Sequence, residues 1–377
     1  MPHTDIINDC KKVTVQYLID KIGTENLVSI ILYGSVARNE ESYKIVNGKV
    51  FLESDLDVLV VVKNKISALR SLIGLKQLSE ELSGELRKEG LLSYVNLSIT
   101  AENRFLNARP NAFHLHLKLN GKVIYGKDLI VLMPSYEYDQ YTRVPVDTLS
   151  RMILGHMIFV VRSLASSGIV DGRISLEGYN SVLKSIRKLT LFMLRSIIIK
   201  NSIPVNPYDL TEIRDKRNLF KTINSICNDL LNSYETTALC DSKNDCSVNE
   251  LQKRLITVIS QFSSTLEVLT GINCPLAKLP KKLVFGQFPF IRRLEYSLYI
   301  LLTNLRTSWT IGLFKFLIHI ILGPEGIYIT YHNLFVSSAN LLKSPDSVDS
   351  NTFQQRQSWL KLYRKSVKPW KYDKAAG

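Results

Sequence analysis

Residues 32–57 read LYGSVARNEESYKIVNGKVFLESDLD, and two short features within them decide the fold. Gly34-Ser35 closes the β-branched run LVSIILY (27–33), which has the signature of a buried strand. Asp55 and Asp57 open a second and more apolar run, LDVLVVV (56–62). Acids at i and i+2 at the mouth of a strand point to the same face of a sheet. A glycine turn leading into a short helix, here VAR, presents unpaired N–H groups and a partial positive charge, which suit phosphate. Together the two features describe a phosphate cradle beside a pair of carboxylates. Such a pair can bind divalent metal, and Mg²⁺ fits because it takes few carboxylates and completes its shell with phosphate oxygens and water. In two-metal phosphoryl transfer, ions about 3.5–4 Å apart stabilise both the entering and the leaving oxygen.

Working outward, residues 5–21 place Ile6, Val13, Tyr17 and Leu18 at helical spacing ahead of Gly23. The block ISALRSLIGLKQLSEELSGELRKEG (66–90) reads as a helix stopping at Gly90, LLSYVNLSIT (91–100) as a third strand, and NGKVIYGKD (120–128) as a short fourth. Strands alternating with helices imply a small sheet packed by helices. After about Val146 apolar residues recur at helical spacing through 149–167, 176–200, 218–234 and 249–269, with turn clusters such as SIPVNPYD between them. The expected class is α+β: a small mixed sheet with flanking helices over 1–145, a helical domain over 146–272, and a basic, mostly helical C-terminal region over 273–377.

Charge and cysteine content narrow the function classes. The net charge is +14. Lys and Arg match Asp and Glu at 18 each over residues 1–150, then exceed them 16 to 11 over 151–280 and 14 to 5 over 281–377. A segregated basic excess suggests an anionic partner, with solubility as the plainer reading. The end, RQSWLKLYRKSVKPWKYDK (356–374), interleaves seven Lys/Arg with Trp359, Tyr363, Trp370 and Tyr372, so it either stacks on nucleic acid or packs back on the body. Five scattered cysteines without a C-x-x-C pair indicate neither a disulfide framework nor a zinc ribbon. The polar start MPHTDIINDCKK has no signal-peptide core, and a cytoplasmic location is expected. From Tyr296 the run YSLYILLTNLRTSWTIGLFKFLIHIILG is interrupted by Arg306 and Lys315, so buried or amphipathic helices are expected rather than a span. The neighbouring Arg292 and Arg293 leave an interfacial helix as the alternative.

LYGSVARNE followed by SDLDVLVVV resembles the nucleotidyltransferase fold of the DNA polymerase β superfamily, especially its minimal and aminoglycoside-type branches. The later HLHLKLNGKVIYGKDL (114–129) is similar to that group's helix running into G-x-V-L/I-Y-G. The resemblance covers roughly residues 10–130. It implies an NTP substrate, Mg²⁺ or Mn²⁺ held by Asp55 and Asp57, phosphates held by Gly34 and Ser35, and release of pyrophosphate as an acceptor hydroxyl is nucleotidylated. Arg38 is a further candidate for nucleotide binding, or a surface residue. The acceptor is open among small molecules, protein side chains and RNA ends, with the basic charge favouring an anionic or macromolecular one.

Two departures stand out. Nineteen residues (36–54) separate Ser35 from Asp55, and Asn47-Gly48 inside YKIVNGKVFL signals an inserted hairpin. The third strand, SYVNLSIT, carries Asn96 and Ser98 where such enzymes place a third carboxylate, with Glu102 just beyond as a substitute. A neutral amide cannot act as a general base, so a degenerate protein that binds nucleotide or nucleic acid without turnover is the alternative. His114 and His116 would share a face only on a strand, and without a third ligand zinc is not expected. His156 reads as a core or boundary residue. Arg187, Lys188 and Arg195 read as the wet face of a helix, and Cys240-x5-Cys246 matches no metal spacing.

Overall fold

The computed structural model describes residues 3–46, 49–91, 94–108, 110–134, 141, 143–167, 174–239, 248–285 and 331–338, with single positions between 294 and 329. The chain forms two compact units, Met1–Glu137 with Glu295–Phe316, and Tyr138–Leu294 with Leu317–Gly377. The class is mixed α+β: the sheets lie in the first unit and the second is helical among the described residues.

The first unit runs α1 (His3–Ile22), β1 (Leu27–Tyr33), α2 (Gly34–Ala37), β2 (Tyr43–Val46), β3 (Lys49–Leu52), β4 (Leu56–Val62), α3 (Lys65–Leu72), α4 (Leu75–Lys88), β5 (Val95–Ala101), α5 (Glu102–Leu106), α6 (Ala112–Asn120) and β6 (Lys122–Gly126). The main sheet has four strands in the order β5-β4-β1-β6. β1 is antiparallel to both its neighbours, while β4 and β5 are parallel, which makes the sheet mixed.

Two-residue alternation sorts β4 between two cores. Leu56, Val58, Val60 and Val62 join Ile30 and Leu32 of β1 against residues of α1 and α4, including Ile6, Leu18, Leu82 and Leu86. Leu59 and Val61 join Ile31, Phe105, Leu117, Leu129 and Met133 on the other face. Asp57 is next in that second row, so the pleat carries it to the rim of the smaller core, on the side where α6 contributes Leu117. Asn111 caps α6 by accepting from the His114 N–H at 2.9 Å.

The helical block expected over 66–90 is two helices. Gly74 breaks it at φ +89, a left-handed turn that glycine adopts without steric cost, and becomes the N-cap of α4. The inserted hairpin is present as β2 paired antiparallel to β3, from Tyr43↔Leu52 to Val46↔Lys49; its Asn47-Gly48 turn lies outside the described residues. Its base is pinned where Ser42 N–H donates to Ser54 Oγ at 2.8 Å and Glu53 N–H donates to the Ser42 carbonyl at 2.8 Å. The excursion therefore leaves and rejoins the chain at one point and delivers Asp55 to the head of β4.

The second unit is built from α7 (Val146–Ser166), α8 (Leu176–Lys200), α9 (Leu210–Asp215), α10 (Arg217–Ile223), α11 (Ser225–Leu239), α12 (Val248–Thr270) and α13 (Lys281–Phe285). α8 packs against α7, α11 and α12. The segment expected as one helix over 218–234 is divided at Asn224, whose side-chain oxygen accepts from Ile226 N–H at 3.0 Å in competition with the helix ladder. One described helix, α7, is long and apolar enough to cross a membrane by length and composition. Its Leu149, Ile153, Leu154, Met157, Val160 and Val161 are buried at helical spacing in the packing with α8. The apolar run from Tyr296, the 356–374 tail and Cys240-x5-Cys246 fall on or largely on residues outside the described ones.

α8 corrects the wet-face reading of its cations. Arg195 is 1% exposed. Its Nε donates to the Pro207 carbonyl at 2.9 Å, and its guanidinium sits 5.2 Å from the Phe192 ring centroid and 5.1 Å from that of Tyr208. Arg187 donates to Tyr234 Oη at 3.1 Å, and only Lys188 of the three is exposed. The aliphatic stem and flat guanidinium let arginine serve as packing where helical spacing alone suggests a solvated stripe.

His156 stacks on Phe192 with ring centroids 3.6 Å apart, and its Nδ1 lies 2.9 Å from the Met152 carbonyl. Burial pushes its pKa down to about 4, and the charges of Lys188 and Arg195 act in the same direction. The unfolded chain takes up this proton as pH falls through about 6.5, while the folded chain resists until about 4. The stability His156 contributes is thus complete above about pH 6.5 and lost on the way down to about pH 4. Urea unfolding at pH 7 and pH 4.5 is expected to show the wild type losing about 2 kcal/mol more than His156→Phe, which keeps the ring and removes the proton site. Equal losses in the two proteins would refute this assignment.

Candidate active site

The C-terminal end of β1 and the N-terminal end of β4 meet because the two strands are antiparallel, with Tyr33 opposite Asp57. Gly34 follows at φ +77. A Cβ built on it would lie 2.0 Å from Asp57 Oδ2 and 2.9 Å from its Cγ, so the carboxylate occupies the space any other residue's side chain would need. The Gly34 turn and the Asp57 acid are therefore parts of one site. Gly34 satisfies two demands at once, a left-handed backbone and a close approach. α2 begins at Gly34, and Ser35 lies half-buried in its first turn.

Asp55 and Asp57 are both half-buried, Asp55 immediately before β4 and Asp57 within it. On its other side β4 pairs with β5 in parallel register, Asp57 opposite Asn96 and Leu59 opposite Ser98. Asn96 Nδ2 donates to Asp57 Oδ1 at 3.0 Å. Asp57 thus has one oxygen fixed by an amide and the other against bare glycine. Ser98 Oγ and Tyr33 Oη are 3.4 Å apart, the next contact inward on the same face.

Glu102 does not substitute for an acid at the Asn96 position. It follows Ala101, which pairs with Val62 at the opposite end of the strands. That is five residues beyond Asp57 along β4, roughly 16 Å at strand rise. Its carboxylate is ion-paired there, with Lys127 Nζ at 2.9 Å.

Arg38, a sequence candidate for phosphate contact, has its guanidinium engaged within the unit. Nε donates to Glu40 Oε2 at 2.7 Å, Nη1 is 2.9 Å from His116 Nε2, and the side chain is 11% exposed. Sequence reading missed His116 in this role. On helix α6 it points away from His114, which is buried beside Phe105 and has its pKa lowered by that burial. The signal available was the helical spacing of 112–120, which separates i from i+2. Phe113 and His116 bring their rings to Tyr33 at 5.2 and 6.3 Å between centroids, so α6 walls the site.

The donor set fits a divalent cation that arrives with a polyphosphate. Among the described residues no group of three or more His, Cys, Asp or Glu side chains is placed to hold an ion alone. Two carboxylates, with remaining coordination left to substrate oxygens and water, are what Mg²⁺ accepts. Cys10 and Cys227 are buried, and burial pushes their thiols up to about 12, so neither offers a thiolate.

No family profile matches the chain, and no curated protein does. Among solved structures, a spectinomycin adenyltransferase from Enterococcus faecialis, determined with ATP and spectinomycin, is similar at 18% identity, over 60% of this chain and 97% of that one, with a TM-score of 0.27.

If Gly34 and Asp57 share one space, their substitutions are coupled. Gly34→Ala is expected to lower unfolding stability by roughly 1–3 kcal/mol through left-handed strain and displacement of the carboxylate. With Asp57→Ala already present the cost should shrink by about 1 kcal/mol or more in a double-mutant cycle followed by urea denaturation. Additive costs would show that the two positions are independent.

Proposed function

We propose that this protein is a divalent-metal-dependent nucleotidyltransferase that moves a nucleoside monophosphate from an NTP to an acceptor and releases pyrophosphate. The observation that supports the reading is the contact between the Gly34 turn and the Asp57 carboxylate. It sets the backbone turn against the half-buried Asp57, two residues after the half-buried Asp55. Asp55 and Asp57 would hold Mg²⁺ or Mn²⁺. When bound, that ion offsets phosphate charge and favours attack at the α-phosphorus. The left-handed turn at Gly34 starts α2, whose first backbone N–H groups and the Ser35 hydroxyl would donate to the polyphosphate. Asn96 keeps Asp57 oriented by donating to Oδ1. The phenyl and imidazole rings of Phe113 and His116 fix Tyr33, and through it the strand end from which α2 departs. Positioning and preset charge supply most of the acceleration in phosphoryl-transfer chemistry.

A second reading, binding of nucleotide without turnover as a regulatory module, is favoured by one specific feature. The strand position beside Asp57 carries an amide, and Glu102 is at the far end of β5. Incubation with each α-labelled NTP and Mg²⁺ or Mn²⁺, across hydroxyl and anionic acceptors, separates the readings. Labelled acceptor and pyrophosphate, lost by at least about a hundredfold in Asp55→Ala with Asp57→Ala, is the expected result. Metal-dependent NTP binding with no product across the panel would decide for the regulatory module, and absence of binding would end both.

A further inference from the structure

We infer that the acceptor brings a nucleophile already ionised at neutral pH, a phosphate monoester rather than an alcohol; the inference rests on the nucleotidyl-transfer reading above and specifies its substrate class. An alcohol attacking phosphorus has to lose its proton, and a group near the acid pair has to receive it. Among the described residues, the side chains that contact Asp57, Tyr33 and Arg38 are otherwise occupied. Asn96, opposite Asp57, is an amide that already donates to Oδ1 at 3.0 Å and has no basic lone pair to offer. Ser98 is 3.4 Å from the Tyr33 hydroxyl, and neither is a base at neutral pH. On the side of α2 and α6, the Glu40 carboxylate is ion-paired to Arg38 at 2.7 Å. His116 Nε2 lies 2.9 Å from Arg38 Nη1; because a guanidinium keeps its protons, it donates, and the imidazole lone pair is taken. Glu102 is at the far end of β5 with Lys127. Asp55 and Asp57 are assigned to the cation.

A phosphate monoester removes the requirement. Its second ionisation lies near pH 6, so at neutral pH its oxygen is already anionic. That oxygen forms a bond to the α-phosphorus of the NTP as the bond from that phosphorus to the β-bridging oxygen breaks. Pyrophosphate leaves, a phosphoanhydride links acceptor and nucleotide, and no proton changes hands in the forward step. The surroundings tolerate the added negative charge. Lys122 Nζ is 2.9 Å from Asn39 Oδ1, which places an ammonium beside the end of α2.

The test uses the full chain, Mg²⁺, α-³²P-labelled NTPs and matched acceptors: orthophosphate, glycerol 3-phosphate against glycerol, glucose 6-phosphate against glucose, and 5′-phosphorylated against 5′-hydroxyl RNA with blocked 3′ ends. The wild type is expected to label the phosphorylated member of at least one pair about a hundredfold faster than its parent alcohol. Asn96→Asp, with folding checked by circular dichroism and Mg²⁺–NTP binding by calorimetry, is expected to narrow that ratio at least about tenfold by supplying a proton acceptor. Alcohols labelled as fast as phosphate esters, with the activity lost in Asp55→Ala plus Asp57→Ala, would overturn the inference and leave the transferase reading standing. An unchanged ratio in a folded, nucleotide-binding Asn96→Asp protein would overturn the role given to Asn96. No labelled product in any pair would overturn the inference and the transferase reading together.

Discussion

The contact on which the rest depends is the carboxylate of Asp57 lying where the side chain of residue 34 would be. It requires glycine at the end of β1, a left-handed backbone to turn the chain into α2, and an antiparallel register that sets Tyr33 against Asp57. None of the three is useful without the others. A slip of one residue in β4 would send Asp57 to the larger core and bring Val58 to the rim. The register is held because Leu56, Val58, Val60 and Val62 are all buried on one face while Leu59 and Val61 are buried on the other. Hydrophobic burial thus aims an acid at a glycine.

The same logic accounts for what the inserted hairpin does and does not change. β2 and β3 pair with each other in a separate two-stranded sheet, and the Ser42–Ser54 closure returns the chain to the head of β4. A long loop closed at its base costs little more entropy than a shorter one. The length of the insertion is therefore no obstacle to presenting Asp55 and Asp57. Asn96 is of another kind, since it sets the chemistry at the rim, an amide donating to Asp57 Oδ1. An amide can hold a carboxylate in place, which a neighbouring carboxylate without a cation cannot do.

Much of this was legible in the sequence because the deciding features are local. Leu27–Tyr33 and Leu56–Val62 are dense β-branched runs, and both are strands with the expected ends. The main helices of the second unit follow their apolar spacing for the same reason. What escaped was set by tertiary context or by single polar residues. Gly74 and Asn224 each cut a continuous apolar pattern in two, through backbone conformation and side-chain competition that periodicity does not register. Arg195 looked like surface and is interior, because the aromatic rings that receive it come from 3 residues earlier in α8 and from the turn after that helix. Arg38 looked available to phosphate, and its partner His116 lies 78 positions away in sequence. The sequence left Asn96 and Ser98 both open as the residue beside the acids, and strand pairing settles on Asn96 opposite Asp57.

The proposed function requires the glycine turn and the acid pair to enclose one space for a metal-bound polyphosphate. Its most direct test is anomalous diffraction from crystals grown with Mn²⁺ and a non-hydrolysable NTP analogue. A manganese peak within coordination distance of the Asp55 and Asp57 carboxylates, with polyphosphate density over Gly34 and Ser35, is the expected result. Manganese bound elsewhere, or an analogue seated away from the end of β1, would contradict it.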